Sequence, residues 1–132
     1  MKLTKKVQYG ILLVNDILTK GRTSIAEIAK SMSLPTPFLE QISRQLRVTG
    51  ILKATKGPGG GYGVVGEPTL LDVTVALDPK YLGSKVSHNG KVLTIFNDRV
   101  TSAINSALNV KFTDIKNEHT KVTFNNISTA VN

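Results

Sequence analysis

Cysteine is absent from the 132 residues. That excludes a disulfide framework, a thiolate metal site and a cysteine nucleophile. Long apolar runs are missing too. The longest near the start, Ile11 to Val14, is too short for a signal peptide or a membrane span, so the expected location is the cytoplasm. Histidine is scarce: His88 and His119 are isolated from each other, and no Ser/His/Asp spacing suggests a triad, so no enzyme activity is expected. Acids are also few, nine against 17 Lys and Arg, for a net charge of +8.

The charge is unevenly placed. Residues 1–66 hold ten basic side chains and only three acids, Asp16, Glu27 and Glu40, whereas residues 67–132 hold seven basic and six acidic groups. A basic half joined to a near-neutral half implies a polyanion-binding module, 1–66, and a second module with another task, 67–132. At 40% hydrophobic and 20% charged, the composition is that of a globular chain.

Apolar periodicity orders the first half. Thr4 caps a helix reaching about Thr19, with Val7, Ile11, Val14 and Leu18 on the 3.6-residue period. Leu12, Leu13 and Ile17 widen its stripe enough that it should be covered on more than one side. Ser24 to Glu27 reads as a capping box opening a second helix whose inner face is Ile25, Ile28, Ala29 and Met32. After Ser33-Leu34-Pro35, Thr36 reads as the cap of a third helix, with Pro37 at its first position. Leu39, Ile42 and Leu46 point inward; Thr36, Glu40, Arg44 and Arg47 point outward, flanked by Gln41 and Ser43. Short strands are expected at Ile51–Thr55 and Tyr62–Val65.

The stretch KGPGGGYG, Lys56 to Gly63, joins them. Gly61 to Gly66 formally matches G-x-G-x-x-G, but that fingerprint needs a helix starting inside it, and Val64-Val65 then Glu67-Pro68 favour a strand. A hairpin fits better. Its glycines supply positive φ and let backbone approach another molecule closely, with Lys56 at the tip beside a phosphate chain. Helix, helix, turn, helix, strand, glycine-rich tip, strand is the order of a winged helix-turn-helix. In that motif the N-terminal part of the third helix enters the major groove. It offers Thr36, Pro37, Glu40 and Gln41 to bases, with Arg44 and Arg47 placed for phosphates. Among phosphates a carboxylate is unfavourable unless it accepts a specific bond, and the cytosine amino group is the matching donor for Glu40. A solvated glutamate is the alternative.

MKLTKKVQYG at the start and PFLEQISRQLRVTGILKATKGPGGGYGV from Pro37 resemble the IscR-type winged-helix transcription regulators, which include iron–sulfur, nitric-oxide and cysteine-metabolism regulators. The resemblance covers about residues 1–66. It implies a homodimer on a partly palindromic double-stranded DNA site, with Glu40 and Gln41 at base-contacting positions and Lys56 where the wing inserts a basic residue into the minor groove. Gly59, Gly60 and Tyr62 complete the expected DNA-binding set. Pro35 and Pro37 depart from the small hydroxyl residues some members carry there, so the base preference is expected to differ.

In the second half, Thr69 caps a short helix through Leu77, a polar loop covers Asp78–Lys91, and a long helix spans about 92–108. Leu93, Phe96, Val100, Ala103 and Ala107 repeat at 3-4-3-4 spacing, with Ile104 and Leu108 beside them. Such a stripe suits packing against another helix, here read as dimerisation. Beyond it, Phe112–Asn132 reads as a short helix capped by Thr113 and a strand or tail. Cluster-binding relatives carry three cysteines in the loop and at the start of the long helix; this chain has none, and His88 alone does not hold a cluster. No metal and no cofactor is expected. The expected fold is thus mainly α with a small β-hairpin, a winged helix-turn-helix followed by a dimerisation helix. A small winged-helix adaptor whose main partner is another protein is the alternative role.

Overall fold

The computed structural model describes residues 3–83 and 90–115. His88, His119 and the tail beyond 115 lie outside the described residues. α1 (Lys5–Lys20) starts at Thr4, whose hydroxyl accepts from the Val7 N–H at 3.2 Å, and ends at Gly21, where φ is +81°. Its buried stripe is Val7, Gly10, Leu13, Val14 and Ile17. A side chain at Gly10 would run into Leu77, so the glycine sets how closely α1 approaches the later helix. Leu18, expected inside, is 43% exposed, and Leu12 is 50% exposed. Leu18 stands at the edge of the buried stripe and Leu12 near the opposite side of α1, and among the described residues neither is fully covered.

α2 (Ile25–Met32) is capped by Ser24, which accepts from the Glu27 N–H at 3.2 Å. The glutamate does not return the bond, so the expected box is half formed. Ser33, in the left-handed region at φ +54°, ends the helix. α3 (Thr36–Val48) is capped by Pro35 rather than Thr36, and Thr36 is its first residue. No side chain caps it. Instead the Pro35 carbonyl accepts from Phe38 and Leu39 at 3.2 and 3.4 Å, and Pro37 has no N–H that needs a partner. Leu39, Ile42 and Leu46 are fully buried, as expected. Ser43, expected on the outer flank, is buried as well. Positions 39, 42, 43 and 46 make one stripe, and the Ser43 hydroxyl donates to the Leu39 carbonyl at 2.7 Å.

The hairpin pairs β1 (Leu52–Thr55) antiparallel with β2 (Gly61–Val64), Leu52 opposite Val64 and Thr55 opposite Gly61. α4 (Leu70–Leu77) opens with a complete capping box. Asp72 N–H donates to the Thr69 hydroxyl at 3.1 Å, and Thr69 N–H donates to the Asp72 carboxylate at 2.8 Å. Val73, Ala76 and Leu77 join α1, α2, α3 and β1 in one core. A 3-10 turn at Pro79–Gly83 forms the start of the expected polar loop.

α5 (Lys91–Leu108) buries none of its residues. The chain after it returns to the body: Leu70 N–H donates to the Val110 carbonyl at 3.0 Å, Lys111 pairs with Glu67 at 2.9 Å, and Phe112 is buried. The hydrogen bond to Glu67, then its charge, raises the Lys111 pKa above the ordinary lysine value. Thus α5 is tethered at its carboxyl end.

Two substitutions test this core. Leu39→Ala should destabilise the fold by about 2–5 kcal/mol in urea unfolding, through lost burial and a cavity. Val48→Ala, on the same helix but 78% exposed, should change stability by less than about 0.5 kcal/mol.

Candidate nucleic-acid interface

The outer face of α3, the amino end of α2 and the hairpin enclose one groove of ≈ 510 Å³. Thr36, Glu40, Arg44, Arg47, Gly60 and Tyr62 from the expected set line it. Pro37 and Gln41 are exposed on α3 beside it, and Lys56 and Gly59 are exposed in the hairpin loop. Sequence reasoning missed Ser24, Ile25 and Ala26, which also line the groove. Their place was signalled only by the cap at Ser24: a helix start carries free N–H groups and partial positive charge. Among the described residues, Glu40, Arg44 and Arg47 form no ion pair, so their charges face the groove uncompensated.

Besides the buried Leu52 side chain, backbone bonds fix the hairpin's position. Tyr62 N–H donates to the Thr23 carbonyl at 2.9 Å, and Thr23 N–H donates to the Tyr62 carbonyl at 3.3 Å. Thr23 is buried, with its hydroxyl on the Gly21 carbonyl at 2.7 Å. The α1–α2 connection therefore acts as a third strand for the wing. Gly61 adopts φ +146°, and a Cβ there would lie 2.7 Å from the Thr23 carbonyl oxygen. Only glycine fits this approach. The tip is Pro58-Gly59, closed by Gly60 N–H to the Gly57 carbonyl at 2.9 Å, with Gly59 at φ +73°, the residue pattern of a type II turn. Lys56, expected at the tip, stands at its shoulder, directly after β1.

A second hollow, ≈ 590 Å³, lies between the end of α3 and α4. Its acids, Glu67 and Asp72, are already engaged by Lys111 and by the Thr69 cap. The α5 stripe forms another surface: Leu93 is 48%, Phe96 66% and Val100 40% exposed, and Ala103 and Ala107 are exposed too. Ile104, counted with them from sequence, is half-buried at the edge nearest the body.

Comparison with known proteins decides the family. Residues 3–130 match the Rrf2 family, described as "Iron-dependent Transcriptional regulator". The chain belongs to the Rrf2 family. It is 36% identical over 67 residues to the HTH-type transcriptional regulator IscR of Cereibacter sphaeroides, covering 47% of this chain and 43% of that protein. To IscR of Aliivibrio salmonicida it is 34% identical over 65 residues, 47% of this chain and 39% of that one. The aligned stretch thus spans less than half the length of these relatives. Among solved structures, that of CymR, the global cysteine regulator of B. subtilis, matches with a TM-score of 0.78 and 26% identity, over 87% of this chain and 95% of that one. The winged-helix architecture expected from sequence is that of the Rrf2 fold.

The family's description names iron, and iron needs donors. Iron–sulfur clusters are held by thiolates, and the chain has no cysteine. Among the described residues, no three His, Cys, Asp or Glu side chains gather where they could hold a metal. This Rrf2 chain does not offer the donor set of an iron–sulfur centre.

Gly61→Ala should unseat the wing and leave the core intact. Amide exchange at Tyr62 and Thr23 should speed up by tenfold or more, on the order of a lost pair of hydrogen bonds, while Leu39 and Leu46 stay protected.

Proposed function

We propose that this Rrf2-family chain is a sequence-specific transcription regulator that binds double-stranded DNA as a homodimer, carries no iron–sulfur cluster and works in the cytoplasm. One observation carries the reading: the α3 face, the amino end of α2 and the wing converge on a single groove in the strongly basic half of the chain. Thr36, Pro37, Glu40 and Gln41 sit on the first turns of α3, the part that meets base edges in helix-turn-helix proteins. Arg44 and Arg47 lie further along and suit phosphates, and the α2 amino end adds backbone N–H groups for the same purpose. Lys56 on the wing shoulder reaches the sugar-phosphate backbone or the minor groove. Palindromic DNA needs two copies, and the exposed stripe of α5 supplies an apolar face for the pairing. No helix among the described residues is long and apolar enough to cross a membrane.

Binding should depend steeply on salt, each phosphate contact adding a slope of about −0.9 to log K against log salt. An affinity flat across a salt titration, together with tight capture of a protein, would return the adaptor role instead. Lys56→Ala and Glu40→Ala should fail differently in binding-site selection. Lys56→Ala should weaken binding to most sequences and lower the salt slope by about one per subunit. Glu40→Ala should leave non-specific affinity unchanged or stronger and relax discrimination at one base pair by about 1–3 kcal/mol. Retention of every base preference in Glu40→Ala would make that residue a solvated charge.

Anaerobic reconstitution with iron and sulfide, then desalting, should leave no stoichiometric iron and no charge-transfer absorption. DNA affinity should be indifferent to cluster-destroying oxidants.

A further inference from the structure

The side of α5 that faces α4 is polar. Beside Leu71 of α4 lies a hollow of ≈ 380 Å³, lined by Asp98, Thr101, Ser102, Asn105 and Ser106 of α5 and by its C-cap, Asn109. A helix packed on a protein body ordinarily turns its apolar side inward. Here the apolar stripe through Phe96, Val100 and Ala103 lies roughly opposite the hollow, at about 100° per residue. Whatever covers that stripe leaves the polar side free.

One atom in the hollow has no partner. The Oδ1 of Asn105 is buried, and it accepts no hydrogen bond among the described residues. A buried acceptor without a donor is unfavourable, so a molecule that brings a donor is favoured there. The other liners narrow what that molecule is. Asp98 is the one charged group among them, it is exposed, and it forms no ion pair among the described residues. The lining holds no cation, so a phosphate or carboxylate would meet only repulsion. The Thr101, Ser102 and Ser106 hydroxyls and the Asn109 amide can each give and take a hydrogen bond. Leu71, half-buried, is the one apolar liner.

We propose that the hollow between α4 and α5 binds a small cationic aminopolyol of the amino-sugar class. Its ammonium group pairs with the Asp98 carboxylate, and a hydroxyl at its far end donates to Asn105 Oδ1. Two turns of α5 separate these acceptors, about 10 Å along the axis at 1.5 Å per residue. A six-membered ring with polar groups at both ends spans that distance with one hydrogen bond of about 2.8 Å at each end. The Thr101, Ser102 and Ser106 hydroxyls take the remaining ring hydroxyls, and Leu71 covers the C–H face of the ring. One carboxylate calls for one ammonium, and the neutral liners call for neutral hydroxyls. The site lies apart from the groove of α3 and the wing and does not depend on the DNA-binding reading.

The test titrates the full chain with glucosamine, galactosamine and glucose, following amide chemical shifts at a pH that keeps the amines charged. Either amino sugar should give saturable shifts at Leu71, Ser102, Asn105 and Asn109, with a Kd of about 1 mM or tighter. Glucose, which has the hydroxyls without the ammonium, should bind at least about tenfold more weakly, because the charge-assisted bond to Asp98 is missing. Asp98→Asn should bring glucosamine down to the level of glucose and leave glucose unchanged. Asn105→Leu should also lose the amino sugar, yet unfold at the same or a higher urea concentration, since it removes an acceptor that had no donor. Shifts that do not saturate with either amino sugar overturn the site, and glucose binding as tightly as glucosamine overturns the ammonium assignment. An Asn105→Leu chain that unfolds at lower urea shows an amide needed by the fold rather than kept for a ligand, and overturns the proposal as well.

Discussion

The rotation of α3 about its own axis decides what this protein presents to a partner. Leu39, Ile42, Ser43 and Leu46 are all fully buried, and a helix with such a stripe has one orientation that keeps it dry. Turning α3 to expose any of them would lose several kcal/mol, by the usual order of about 1.5–3 kcal/mol per buried aliphatic side chain. Glu40, Arg44 and Arg47 are therefore held outward by residues that are themselves fully buried. The Ser43 hydroxyl satisfies itself on the Leu39 carbonyl, so the stripe contains no polar demand that would pull it toward water.

The wing is held by a different kind of constraint. Its strands are only four residues each, and an isolated hairpin of that size is marginal in water. The backbone pair between Thr23 and Tyr62 supplies what the hairpin lacks, and it also fixes the wing relative to the start of α2. Because Ser24 follows Thr23, the same short segment sets the wing and caps the helix whose amino end opens into the groove. The three walls of the groove are thereby positioned relative to one another without a ligand, so the proposed binding of DNA requires less ordering.

Much of this was legible in the sequence, and the reasons are local. Thr4, Ser24 and Thr69 each sit one residue before a helix and cap it, and the inward positions of α2 and α3 follow the helical period. Proline and glycine in Lys56–Gly63 marked the hairpin. What the sequence did not reveal depends on distant partners. Nothing near Thr23 announces a bridge to Tyr62, and nothing near Gly10 announces Leu77. Leu18 fits the α1 period as well as Val14 does, yet Val14 is fully buried and Leu18 is 43% exposed, a difference made by tertiary packing. Thr36 was read as a cap by residue type, although two flanking prolines let the backbone start the helix one residue earlier. Of the candidate site, the α3 face was read directly, whereas Ser24 to Ala26 joined it only through tertiary packing.

The chain belongs to the Rrf2 family and has no cysteine. Among the described residues the core is built from α1 to α4, the hairpin and Phe112, and all of it is assembled without a thiolate. The central claim is that the groove between α3, α2 and the wing is the surface that meets DNA. Amide chemical-shift mapping during titration with a mixed-sequence duplex at low salt tests it most directly. The account predicts shifts at Ser24–Ala26, along Thr36, Glu40, Arg44 and Arg47, and across Gly57–Tyr62, with the exposed α5 stripe unchanged. Shifts centred on α5 or on the hollow beside α4, with α3 and the wing unmoved, would contradict it.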